Sequence, residues 1–127
     1  MKILSVICEF DPFHNGHAYL LSQARQKSGA EYTVCIMSGC VTQRGTFSRY
    51  DKRLRAKAAL LHGADLVIEL PVRLSCAGAD VFAAGGIALA SALGDEVFSA
   101  SDVKADFFHL YRSLQARSDP EPISPVR

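Results

Sequence analysis

Glu9-Phe10-Asp11-Pro12-Phe13-His14-Asn15-Gly16-His17 follows the apolar run Ile3-Leu4-Ser5-Val6-Ile7-Cys8 and precedes a helical pattern. Two imidazoles three positions apart, with Gly16 between them, stand where a strand hands over to a helix. Such a junction suits phosphate, because the first turn of a helix offers unpaired backbone N–H groups and the positive end of its dipole. Gly16 removes a side chain where a polyphosphate has to approach the backbone. His14 and His17 add two donors that titrate near neutrality. The plainer alternatives for such a pair are a surface feature, a helix cap or half of a metal site. A strand before, a helix after, and the bracketing Pro12 and Gly16 favour phosphate handling.

Working outward, Ile3 to Cys8 has the near-continuous apolar character of a strand buried on both faces. Leu20, Leu21 and Ala24 recur at helical spacing from Gly16 to about Ser28, and Gly29 ends that helix. Tyr32 to Met37 is a second buried strand, broken by Ser38-Gly39, and a polar loop runs on to Ser48. Ser48-Arg49-Tyr50-Asp51 has the spacing of a capping box. The helix it opens is expected to reach about His62, with Leu54, Ala58 and Leu61 on the core side. His62 and Gly63 read as its last turn and cap, so His62 is structural. Leu66 to Leu70 is a third strand, stopped by Pro71. Cys76 to Leu93 reads as one largely buried helix, with Gly85-Gly86 marking close packing. Glu96 to Ser99 is a short fourth strand. Asp102 then caps a last helix to about Arg117, with Val103, Phe107, Leu110 and Leu114 on one stripe and His109 off it.

Alternating strands and helices define an α/β fold, a Rossmann-like open parallel sheet with helices on both faces. Residues 1–117 make one domain, and the proline-rich stretch 118–127 is a disordered tail. Ligands of such sheets bind outside the carboxyl ends of the strands. That selects Glu9 to His17, Ser38 to Phe47, Glu69 to Arg73 and Ala100 to Asp102.

Composition narrows the classes. The 127 residues, 49% of them hydrophobic, suffice for a core, and a net charge of +1 gives no global attraction to nucleic acid or membrane. Binding to either requires a local patch. Cys8, Cys35, Cys40 and Cys76 lack metal-ligand spacing, so no metal site is expected; three lie in or beside apolar runs, as reduced, buried thiols of a cytoplasmic protein do. The first eight residues are too short for a spanning helix and carry no cleavage region.

Together these stretches resemble the HIGH-type nucleotidyltransferase superfamily, whose His-x-Gly-His signature is met by His14-Asn15-Gly16-His17. The match is closer to its tRNA(Met) cytidine acetate ligase family. Glu9 to His17, Met37-Ser38-Gly39, Gln43-Arg44-Gly45, Asp51-Lys52, Arg55-Ala56-Lys57 and Gly63 to Pro71 carry that resemblance, which spans about residues 1 to 108. It implies activation of acetate by ATP, with Mg²⁺, to acetyl-adenylate and pyrophosphate. The acetyl group then passes to the N4 amine of the wobble cytidine of elongator tRNA(Met). By resemblance, the loop from Ile7 and Cys8 through Glu9, Phe10, Asp11, Pro12, Phe13, His14, Asn15, Gly16 and His17 to Leu20 holds ATP. Ser38, Gly39 and Arg44 join it, and adenine lies by Ala100 and Ser101.

His14, His17 and Lys52 are the candidate catalytic residues. Carboxylate attack on the α-phosphorus needs alignment and charge stabilisation more than covalent help. Arg44, Arg49, Lys52, Arg53, Arg55 and Lys57 form the one dense basic stretch. It is either a solvated helix face, or Arg44 or Lys52 meets pyrophosphate and the rest meet the tRNA backbone. Glu69 is either a ligand-side carboxylate or a cap.

The chain departs from the family pattern in three places. Asp11 replaces the usual Asn, putting a carboxylate beside the phosphates. Cys40-Val41-Thr42 replaces a more polar-aromatic stretch, and Ala100 replaces a glycine. Family members also run on past this chain, which is expected to be a truncated form. The competing readings are a small-molecule adenylyltransferase or cytidylyltransferase of coenzyme synthesis, and a non-catalytic nucleotide-binding remnant. Oligomeric state is open.

Overall fold

A computed structural model describes residues 1–94 and the strand at 97–99. The elements run β1 (Ile3–Cys8), α1 (Asn15–Ser28), β2 (Tyr32–Ser38), α2 (Lys52–Leu61), β3 (Leu66–Leu70), α3 (Val72–Ser75), α4 (Ala79–Ser91) and β4 (Val97–Ser99). Ala100, Ser101, the Asp102-capped helix and the tail 118–127 lie outside the described residues.

All strand pairs are parallel, in the order β3-β2-β1-β4. The chain builds outward from β1 to β3, then returns to the far side of β1. The order therefore reverses at β1, and the crevice beside its carboxyl end is where open α/β sheets take ligands. Register fixes what meets there: Cys8 is level with Met37, and Met37 with Glu69. The loops after β1, β2 and β3 thus emerge side by side, while β4 stops lower, with Ser99 level with Ser5.

The pleat sends alternate residues to two cores. Leu4, Val6, Cys35 and Met37 pack with Leu21 and Ala24 of α1 and Ala59 of α2. Ile36 and Leu70 pack on the other face with Ala90, Leu74, Phe82 and Leu89 of α3 and α4. Helices on both faces are what the expected fold requires.

Three expectations are corrected here. Asp51, not Ser48, caps α2: its Oδ1 accepts from the Arg53 amide at 2.8 Å, and the Ser48 hydroxyl instead donates to the Tyr50 carbonyl. Ser48 belongs to the preceding loop, where Val41 bridges Phe47 and the Ser48 amide donates to Cys40. The core side of α2 is Arg55 and Ala59, whereas Leu54 and Leu61 are 56% and 71% exposed. The helix expected over Cys76 to Leu93 starts later, at Ala79, and a separate one-turn helix, α3, precedes the expected span; Cys76, Ala77 and Gly78 divide the two. Gly78 takes φ +99°, a conformation that breaks helical continuation and that glycine adopts freely. Val81 and Ile87 of α4 are exposed, as is Cys76, so this segment is buried along one stripe only. The Gly85-Gly86 pair is that stripe: a Cβ on Gly86 would stand 2.5 Å from Cδ1 of Ile7, and one on Gly85 2.8 Å from Leu74.

Candidate functional site

The turn leaving β1 is tight. Phe10 adopts φ 53°, rare for a residue with a Cβ, and the Asp11–Pro12 peptide is cis. Burial of the Phe10 ring holds this conformation: it is 3% exposed, edge-on to Phe13 at 4.9 Å and 4.9 Å from the His17 ring. Pro12 is exposed at the bend.

His14 is the N-cap of α1 and His17 its third residue, and together they form a capping box made of imidazoles. Nδ1 of His14 accepts from the Gly16 amide at 3.1 Å, and Nδ1 of His17 accepts from the His14 amide at 3.3 Å. An Nδ1 that accepts carries no proton, so each ring is held as the tautomer with its proton on Nε2. The rings stack at 3.8 Å with 21° between planes. Burial first, then the neighbouring His14, lower the His17 pKa to about 4. His17 is therefore neutral at physiological pH, with Nε2–H as its remaining donor. The cap and the phosphate reading are compatible, because each ring serves the helix through Nδ1 and Nε2 takes no part in the cap.

Gly16 has a second reason to lack a side chain. A Cβ there would lie 2.9 Å from Cε1 of His14, so glycine makes room for the capping ring. Asn15 is exposed on the same first turn, and Leu20 is half-buried one turn on. Ile7 packs beneath Gly86, and the thiol of Cys8 is pushed well above its usual range by burial and by Cys35. Cys8 is thus a packing residue rather than a nucleophile.

The two acidic residues of the loop are committed to backbone and side-chain donors. Oε2 of Glu9 accepts from the Ser38 hydroxyl and the Gln43 amide, each at 3.0 Å. Asp11 accepts from the amides of Arg49 (2.8 Å) and Tyr50 (2.9 Å). The carboxylate expected to repel phosphate is instead a clamp that draws in the start of α2. Among the described residues, no group of three His, Cys, Asp or Glu side chains is placed to hold a metal ion.

Arg55 is the residue that sequence reasoning misplaced. It is 1% exposed, and its guanidinium donates to the carbonyls of Glu9 (2.7 Å), Ser38 (3.0 Å), Gly39 and Tyr50 (3.0 Å). One planar fork ties the ends of β1 and β2 to the entrance of α2. Arg55 therefore leaves the basic stretch offered to tRNA. Arg44, Arg49, Arg53 and Lys57 are exposed, Arg44 on the turn closed by the Gly45 amide and the Thr42 carbonyl.

Lys52 is held by Glu69 at 2.7 Å, which raises its pKa and keeps it charged. Gly39 is buried below this pair, and a Cβ there would strike the Glu69 carboxylate. Between them opens a hollow of about 190 Å³, walled by the ends of β2 and β3 and the first turn of α2. The structure thus gathers Glu9, Ser38, Gly39 and Arg55 into one knot, pairs His14 with His17 in front of β1, and sets Lys52 over the end of β3.

A parallel sheet with a histidine-capped helix at its switch point defines a class, and comparison gives that class its name. Residues 1–121 match the family described as HIGH Nucleotidyl Transferase, and the chain belongs to it. Within that class it is similar to proteins named tRNA(Met) cytidine acetate ligase. That of Limosilactobacillus reuteri is 44% identical over 91% of this chain and 31% of its own length. That of Acetivibrio thermocellus is 47% identical over 74% of this chain and 23% of its own. The crystal structure of Thermotoga maritima TmcAL bound with alpha-thio ATP superposes with a TM-score of 0.74 at 42% identity, covering 78% of this chain and 24% of that one. The chain spans less than a third of the length of these curated relatives.

Proposed function

We propose that this chain is the nucleotide-binding front of an ATP-dependent acetate ligase acting on tRNA(Met). The observation that carries the reading is the imidazole capping box at the start of α1, just past the carboxyl end of β1, where the strand order reverses. The similarity to an ATP-analogue-bound TmcAL structure supports it. His14 and His17 donate to the phosphates of ATP, with Asn15 and Gly16 beside them and the loop from Ile7 to Leu20 enclosing the nucleotide. Neutral donors suit this task, since they follow charge that shifts toward the leaving pyrophosphate without a permanent charge to desolvate. Mg²⁺, if bound, would be held by the ATP phosphates rather than by Glu9 and Asp11, whose carboxylates accept from Ser38, Gln43, Arg49 and Tyr50, and it would offset phosphate charge. A carboxylate oxygen of acetate attacks the α-phosphorus, the bond to pyrophosphate breaks, and acetyl-adenylate results. Arg44, Arg49, Arg53 and Lys57 form the local patch available to a tRNA backbone.

The test is exchange of labelled pyrophosphate into ATP by the purified chain, with and without acetate. Acetate-dependent exchange is expected. Exchange that depends instead on phosphopantetheine, nicotinamide mononucleotide or glycerol phosphate would make it a coenzyme nucleotidyltransferase. Failure to bind any nucleotide would make it a non-catalytic remnant.

A further inference from the structure

We infer that the hollow over the ends of β2 and β3 is a subsite for a small carboxylate, with acetate as its occupant. The inference rests on the acetate-ligase reading for the identity of the ligand, and on the geometry of the hollow for its place. The lining has two characters. Lys52 and Arg53 supply cations, and Met37, Ala56 and Val67 supply an apolar wall. Acetate has the same two halves, a charged carboxylate and a methyl group. The volume of about 190 Å³ admits it together with ordered water.

Lys52 is placed in advance. Glu69 holds its ammonium at 2.7 Å, which spares the ligand the entropy of ordering a long side chain. The bare backbone of Gly39 lets the Glu69 carboxylate lie across the strand end and reach that lysine. Two cations against one carboxylate leave the hollow with an excess positive charge. Lys52 and Arg53 are also the first two residues of α2, at the positive end of its dipole. The hollow adjoins the nucleotide loop directly: Ser38 in its wall donates to Glu9, the first residue after β1. A carboxylate seated there lies at the ends of β3 and of β2, the neighbour of β1, whose loop holds phosphate in the proposed function.

The experiment is an amide NMR titration of the 127-residue chain with sodium acetate, against sodium chloride at matched ionic strength. Acetate is expected to move the amides of Gly39, Arg53 and Val67, and chloride is not. Lys52→Met is expected to weaken acetate about tenfold or more, through loss of one charge-assisted contact. Glu69→Gln keeps the shape, removes a competing negative charge, and is expected to tighten acetate. Shifts reproduced by chloride, or equal in wild type and both variants, would overturn the subsite. ATP added to the same samples reports separately at His14 to His17. ATP shifts without acetate shifts overturn the subsite alone, and acetate shifts without ATP shifts overturn the functional reading alone.

Discussion

His17 carries two duties that pull on the same proton. Its Nδ1 must stay bare to accept from the His14 amide, and burial against Phe10 and Phe13 keeps the ring neutral. Its folded pKa of about 4 lies below the ordinary 6.5. Between those values the unfolded chain binds a proton that the folded chain refuses, so this residue's contribution is complete above about pH 6.5 and is lost as pH falls toward 4. His17→Gln keeps an acceptor for the cap and removes the titration. Urea midpoints at pH 7 and pH 5 are expected to differ less in His17→Gln than in wild type; an equal acid loss in both would contradict the assignment. Arg55 is the second residue on which the site depends. Replacing it with Met strands four carbonyls at the strand ends, at an expected cost of about 3–5 kcal/mol in urea unfolding. Arg55→Lys is expected to recover only part of this, because an ammonium has three donors and no planar fork. A loss below about 1 kcal/mol for Arg55→Met would show that water replaces the guanidinium easily.

Among the elements, β1 and β2 are readable from residue type because both are covered on two faces and show it as near-continuous apolar runs. The turn chemistry of Gly29 marks the end of α1 before β2, and that of Pro71 the end of β3. The inner face of α2 escapes the same logic. Its buried member is an arginine whose hydration is replaced by four carbonyls from other loops, and hydrophobic periodicity carries no record of that exchange. Ser48 and Asp51 are both good caps, and only the bridge between Val41 and Phe47 decides between them. The glycine pair in α4 was a visible signal, and its meaning is a seam between α4 and β1. Gly86→Ala forces Ile7 to shift, at an expected cost of about 1–3 kcal/mol. Ile7→Ala in the same chain is expected to return part of that cost in a double-mutant cycle. Strict additivity would show that the two side chains do not meet.

For the molecule as a whole, the sheet order among the described strands puts the His14–His17 loop beside β1, where the strand order reverses. The parallel sheet was legible from alternating strands and helices, and the His-x-Gly-His spacing marked the loop after β1 as the candidate site. What the spacing left open was which edge of each ring is free, because that depends on a reciprocal cap set by backbone geometry at His14. A ligand that binds only the folded chain stabilises it by mass action, by about 2.7 kcal/mol at a hundredfold excess over Kd, and so raises its melting temperature. ATP is expected to do so here, and CTP much less. The central claim, that the two imidazoles at this bend hold a triphosphate, is tested most directly by calorimetric titration of ATP into wild type, His14→Ala and His17→Ala. Binding by wild type and a loss of about tenfold or more in each variant is the predicted result. Equal affinity in all three, with the variants still folded, would contradict it.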